Sequence, residues 1–317
     1  MERERNPLGY KPIKSLLISF SIPAIIGCLI NSVYNIVDQI FIGQGVGYLG
    51  NAATTVAFPI MTILLAFATL IGAGASAYAA IRLGERREEE AVRTLNNAFS
   101  VTAVVGIVIM VVGLIFLEDY LPFFGATEKI MPYAKDYTGI VLLGTPFNLL
   151  SIVLSNMART DGHPRLSMYG VLIGAILNTI LDPIYIFVFG WGVKGAAIAT
   201  ITSQFISFLV LTIYFVRKNK NPLHMRLKKK YMMPNPRRVK RFLTLGISSG
   251  ITQSVACIMQ VVMNNSLVFY GDRSEIGGDA ALSAMGVVMK IAMIMAAFGI
   301  GIGIGAQPIL GFNRGAR

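Results

Sequence analysis

Eight stretches of this chain are apolar over about 20 residues or more, and that pattern leaves few folds open. They cover residues 13–42, 52–80, 92–117, 134–157, 166–189, 192–216, 239–270 and 281–311. In lipid a backbone must satisfy its own hydrogen bonds, which leaves helices and closed barrels. The ten-residue alternation of a barrel strand is missing, so the expected fold class is an all-α, polytopic helical membrane protein. Composition agrees, because 54% hydrophobic and 14% charged residues over 317 positions are too apolar a mixture for a soluble core.

Lys and Arg are retained on the cytoplasmic side of membrane helices. Here 23 of the 28 basic residues fall before the first run, around its even-numbered successors or in the stretch Arg217 to Arg241. The expected topology is therefore multi-pass, with the N-terminus cytoplasmic. The net charge of +12 has the same origin. A basic segment such as Arg226 to Lys230 reads as a topology and anionic-lipid signal, so membrane lipid is expected as a partner and nucleic acid is not. No obligate protein partner is evident. The polar residues 1–12 precede an apolar run too long for a cleaved leader.

Enzyme chemistry finds no support. Cys28 and Cys257 lie inside apolar runs without metal-ligand spacing to His163 or His224, and no nucleophile elbow, zinc-protease motif or phosphate loop occurs. The glycine strings Gly72-Ala-Gly74 and Gly299-Ile-Gly301-Ile-Gly303-Ile-Gly305 suit close helix approach or bending better than a nucleotide.

Asp38 and Asp182 are the informative exceptions, because a carboxylate at bilayer depth costs about 2.5–3.5 kcal/mol and is seldom kept there without a function. Asn178 stands four residues before Asp182, on the same helix face. Pro183 removes a backbone donor and frees the carbonyl of Thr179. Carboxylate, amide and carbonyl oxygens suit a hard cation, and two acids sharing a dry site hold a proton unless a cation arrives. The expected coupling ion is H⁺ or Na⁺, with no other metal and no cofactor. Pro23 marks where the first helix can bend, and Pro183 is a second hinge. Tyr34 and Asn35, beside Asp38, are cleft candidates. Lys290 is the one basic residue well inside a run; it either pairs with a carboxylate or lines a wet path. Gln260, Asn264 and Met289 belong to a Met- and amide-rich region that reads either as a promiscuous pocket or as core packing.

An internal repeat organises the chain. An offset of 231 residues sets Gly72, Gly74, Ala75 and Gly84 on Gly303, Gly305, Ala306 and Gly315. The seventh and eighth runs thus look like a second copy of the first and second, related by an axis along the membrane normal. The expected organisation is a six-helix bundle over 1–216, a basic cytoplasmic linker over 217–238, and the first two helices of a second bundle over 239–317. A complete second copy would need four more helices.

These residues resemble the multidrug and toxic compound extrusion (MATE) family. The resemblance rests on Pro23 with Asn31-Ser-Val-Tyr-Asn-Ile-Val-Asp38, Gly72-Ala-Gly-Ala-Ser76, Arg159-Thr-Asp-Gly-His-Pro-Arg165, Asn178-Thr-Ile-Leu-Asp182-Pro183, Gly195-Ala-Ala-Ile-Ala-Thr200, and Gly303-Ile-Gly-Ala-Gln-Pro308 leading to Gly311-Phe-Asn-Arg-Gly315. It implies a prokaryotic secondary antiporter that exports small-molecule drugs or toxic metabolites. It further implies that Asp38, Asn178, Asp182 and Thr200 bind or sense the coupling ion. The alternatives are a lipid-linked saccharide flippase, which would want several cleft cations, and an inactive membrane scaffold. The seventh run carries no acid, which argues for coupling in the first bundle only.

Overall fold

A computed structural model describes residues 6–217, 222–226, 228–271, 273–274 and 277–316, apart from the side chains at 279, 280, 282, 283, 287 and 290. The described residues form helices and no strand. In chain order these are α1 (Ile13–Gly45), α2 (Tyr48–Gly84), α3 (Glu88–Ile115), the short α4 (Leu117–Phe123), α5 (Met131–Leu143), α6 (Thr145–Thr160), α7 (Pro164–Pro183), α8 (Gly192–Val216), the one-turn α9 (Lys229–Met232), α10 (Pro236–Gly271) and α11 (Gly278–Ala316). Seven spans are long and apolar enough to cross a membrane, and the bent pair α5 and α6 makes an eighth.

The fourth apolar run, expected as one helix over 134–157, is instead broken by 53° between α5 and α6. Pro146 has no N–H for the carbonyl one turn earlier. The joint, Gly144, lies so close to α8 that a Cβ there would sit 2.5 Å from the Ile201 side chain. The fifth run passes Pro183 as a single π-helical turn, Ile184–Val188. The extra residue absorbs the hydrogen bond that Pro183 cannot make.

Consecutive helices are not always neighbours. The α1 and α2 helices touch little; α11 packs along both, α10 packs along α2, and α7 packs along α1 and α8. Glycine sets the closest crossings. A Cβ on Gly74 would lie 1.9 Å from the Phe242 carbonyl oxygen, and one on Gly246 would lie 1.8 Å from that of Leu70, so α2 and α10 meet backbone to backbone. At the α2–α11 crossing, Gly84 faces the Phe312 carbonyl and Gly315 faces the Ile81 carbonyl. Because 312 − 81 and 315 − 84 both equal 231, each glycine meets the repeat equivalent of the residue its counterpart meets. Reciprocity of that kind is the signature of a two-fold arrangement.

The glycine string divides by helical spacing. Gly301 and Gly305 lie against the backbone of Ile25 and Ser21 on α1, whereas Gly299 and Gly303 have nothing within 4 Å of an added Cβ. Ser21 and Ile25, two residues either side of Pro23 and on the opposite face of α1, thus lie against α11.

The N-terminal segment closes the basic end of the bundle. Asn6 donates from its side chain to the Thr160 carbonyl (3.1 Å), Pro7 stacks on Gly162, and Leu8 joins Leu16, Phe20 and Ile309 in a small apolar cluster. Gly162 has a φ of +89°, which a side chain would strain. The linker is strapped to the same end. Buried Asn97 on α3 donates to the carbonyls of Tyr231 (2.8 Å) and Met233 (3.1 Å) and accepts from the Asn235 N–H (3.1 Å). Asp161, fully buried, accepts from the Leu223 N–H and the Tyr214 hydroxyl, both at 2.8 Å.

Candidate ion-coupling site

The first-bundle acids come together. Asp38 leaves α1 and Asp182 leaves the last turn of α7, and their side chains are within hydrogen-bonding reach of each other. Asp182 is 0% exposed and Asn178 is 2% exposed, while Asp38 is half-buried. Helical spacing sets Asn178 one turn before Asp182, and its amide donates to Asp182 Oδ1 at 3.0 Å. The other oxygens of this pair, Asp182 Oδ2 and Asn178 Oδ1, are buried and receive no hydrogen bond among the described residues.

Two more elements complete the wall. Thr200, on α8, bonds to the hydroxyl of Tyr137, a buried residue on α5 whose electrostatic neighbours are Asp38, Asp182 and Tyr34. Tyr34 sits beside both acids and bonds to Asn35. The site therefore gathers Tyr34, Asp38, Tyr137, Asn178, Asp182 and Thr200 from α1, α5, α7 and α8. Sequence reasoning missed Tyr137. The one available signal was a tyrosine inside an apolar run, whose hydroxyl must find a polar partner when buried.

This donor set is two carboxylates, an amide oxygen and three hydroxyls. It suits a proton or a hard monovalent cation. Among the described residues no three His, Cys, Asp or Glu side chains converge on a point, so no tighter metal cage forms there.

The remaining candidates scatter. Asn35 is half-buried and donates to the carbonyl and side-chain oxygens of Asn31 (2.7 and 3.2 Å). Gln260 and Asn264, expected to line the open cleft, are 6% and 0% exposed and bond to each other at 2.9 Å. They share a helix face with Cys257, which reaches the Pro59 carbonyl, so they form a polar seam against α2. The bond runs from the Gln260 amide N–H to Asn264 Oδ1, and the Asn264 Nδ2 is buried with no hydrogen bond among the described residues. Met289 is half-buried on α11. The side chain of Lys290 lies outside the described residues. Pro23 is buried within α1, and Pro183 ends α7 at its π turn.

The MatE family profile matches residues 23–184, just over half of the chain, a stretch that includes Asp38 and Asp182. The chain is 29% identical over 301 residues to the Multidrug export protein MepA of Staphylococcus haemolyticus, and 27% identical over 304 residues to MepA of Staphylococcus aureus. The alignments take in 94% and 95% of this chain but 64% and 65% of the relatives, so it spans just under two thirds of their length. The solved MATE multidrug transporter DinF-BH superposes with a TM-score of 0.90 at 34% identity, covering 100% of this chain and 69% of that one. With the helical plan, the paired acids and this match in agreement, the chain belongs to the MatE family.

Proposed function

We propose that this protein acts in a bacterial or archaeal inner membrane, with its N-terminus and basic end cytoplasmic, as a secondary antiporter exporting small amphipathic, often cationic compounds in exchange for H⁺ or Na⁺. The reading rests on the Asp38–Asp182 pair, with the names of the relatives as support. Two carboxyl groups in contact repel unless a proton or cation lies between them. At an effective dielectric of about 20, two unit charges about 4 Å apart differ from a neutralised pair by roughly 4 kcal/mol. A term of that size, released or restored as the ion leaves or arrives, can bias one helix position over another.

The moving part is α1. It carries Asp38 and Tyr34, and Pro23 deprives the Ser19 carbonyl of its helical donor. The α11 surface against Ser21 and Ile25, which flank Pro23, is glycine, so α1 can change its angle there without meeting α11 side chains at those two positions. An occupied pair draws α1 to α7, and an empty one pushes it toward the space beside α2. Compounds enter that space and leave from the other side as α1 returns, which is alternating access. The six-helix bundle over 1–216, the linker at 217–238 and the first two helices of a second bundle over 239–317 belong to the same reading, supported by the reciprocal α2–α11 contact.

Binding of ethidium, a fluorescent cation, to the purified protein tests this. Affinity is expected to change with pH or Na⁺ in the parent, and Asp38→Asn and Asp182→Asn are each expected to abolish that dependence. Ion-dependent binding that survives both substitutions refutes the assignment.

A further inference from the structure

The first turns of α10 border an open groove of about 500 Å³ at the basic end of the protein. Val101 of α3 stands on one side of it; Val239, Leu243 and Ile247, at four-residue spacing along one face of α10, stand on the other. Lys240 edges that face, and Pro236 lies at the polar end. Away from the basic end both walls continue as exposed apolar surface, Val104 and Val108 on α3 and Ile251 on α10. The α3 and α10 helices make little direct contact, so the gap between them is narrow-walled and long.

The polar rim is fixed. Asn97 holds the strap 231–235, and Arg238 donates to Asn97 Oδ1 (3.0 Å) and to Glu90 (3.1 Å). Glu89 is engaged by Arg93 and Arg226. Asn235 Oδ1 accepts from the Arg237 N–H at 3.0 Å and so caps α10. Acids and helix end are matched here by groups of the protein, while Arg237, Lys240 and Arg241 are exposed on neighbouring rows of the first two turns.

We infer that the groove binds an anionic glycerophospholipid, with the phosphate on the Lys240 ammonium and one acyl chain between α3 and α10. An apolar groove rimmed by cations suits a molecule with an apolar tail and a negative head. A zwitterionic lipid fills the same gap but brings no net charge to the three cations. The bound lipid would link the first bundle to the helix that opens the second. Such a site requires neither export nor a particular side of the membrane.

A tryptophan in the groove reads its occupant, because the chain has one native tryptophan, Trp191. Trp191→Phe with Ile247→Trp places a single fluorophore on the exposed α10 wall about 10 Å along the helix from Lys240. The protein is reconstituted in dioleoylphosphatidylcholine vesicles doped with dibrominated phosphatidylglycerol or dibrominated phosphatidylcholine, which quench on contact. The groove reporter is expected to prefer phosphatidylglycerol about fivefold, the effect of one cation near a membrane surface, and Lys240→Gln should bring that ratio close to one. Lys240→Arg keeps the charge and should keep the preference, which separates charge from damage to the helix end. Leu245→Trp in place of Ile247→Trp, at the same height on the opposite face of α10, should give a ratio that Lys240→Gln does not move. Equal quenching by the two lipids in the groove, or a preference that survives Lys240→Gln, overturns the inference. So does a shift of the same size at Leu245→Trp, loss of the preference in Lys240→Arg, or a groove reporter that neither lipid quenches because protein covers it.

Discussion

Replacing Gly305 by alanine puts one methyl group where α11 crosses α1, two residues from Pro23. The added Cβ would lie 2.7 Å from the Ser21 N, Cα and Oγ atoms. Ordinary carbon contacts begin near 3.5–4.0 Å, so the helices must part by about 1 Å. Overpacking of this kind costs about 1–3 kcal/mol. Gly303→Ala on the same helix supplies the control, because its Cβ meets nothing within 4 Å. Both substitutions gain the same helix propensity, about 1 kcal/mol, so their difference isolates the crossing. Thermal unfolding in detergent is the assay. Gly303→Ala should unfold at or above the parent temperature and Gly305→Ala several degrees below Gly303→Ala, at about 2–4 °C per kcal/mol for a large domain. Gly301→Ala, which meets the Ile25 backbone at 2.7 Å, should repeat the result. Equal melting of Gly303→Ala and Gly305→Ala would refute the close crossing, and with it the glycine bed proposed for the α1 hinge.

Tyr137→Phe removes the buried hydroxyl that bonds Thr200 and lies near the acid pair, and should weaken ion binding about three- to tenfold with the melting temperature little changed, as read from the ion dependence of ethidium binding. Asn97→Ala deletes the bonds that hold 231–235, so trypsin should cut at Lys228 to Lys230 much faster than in the parent, as followed on a gel. Asp161 gives a pH effect of opposite sign to that of most carboxylates. Burial raises it above the usual range, outweighing the help it gets from His163, the Leu223 N–H and Tyr214. The folded state therefore binds the proton more tightly than the unfolded one. Stability is greatest below the ordinary Asp value and falls as pH rises from there to the raised value. Asp161→Asn keeps an acceptor for the Leu223 N–H and should flatten that part of a stability–pH curve, while an unchanged slope would reject the assignment.

The all-helical class, the number of spans and the acid pair could be read from the amino-acid order because each follows from short-range chemistry. A long apolar run has one way to satisfy its backbone in lipid, a mid-run carboxylate is costly wherever it falls, and Asn178 with Asp182 share a face by helical spacing alone. The 231-residue repeat was legible for the same reason, since it is a property of the string. What the string could not decide is which faces meet. The bend at Gly144, the π turn after Pro183 and the recruitment of Tyr137 depend on the approach of another helix, and so does the withdrawal of Gln260 and Asn264 into a seam against α2. Every side chain in an apolar run looks equally buried along the sequence. Only the packing of helices far apart in the chain separates Gly305, pressed on Ser21, from Gly303 two residues away in open space, and brings Ser167 of α7 to Arg159 of α6.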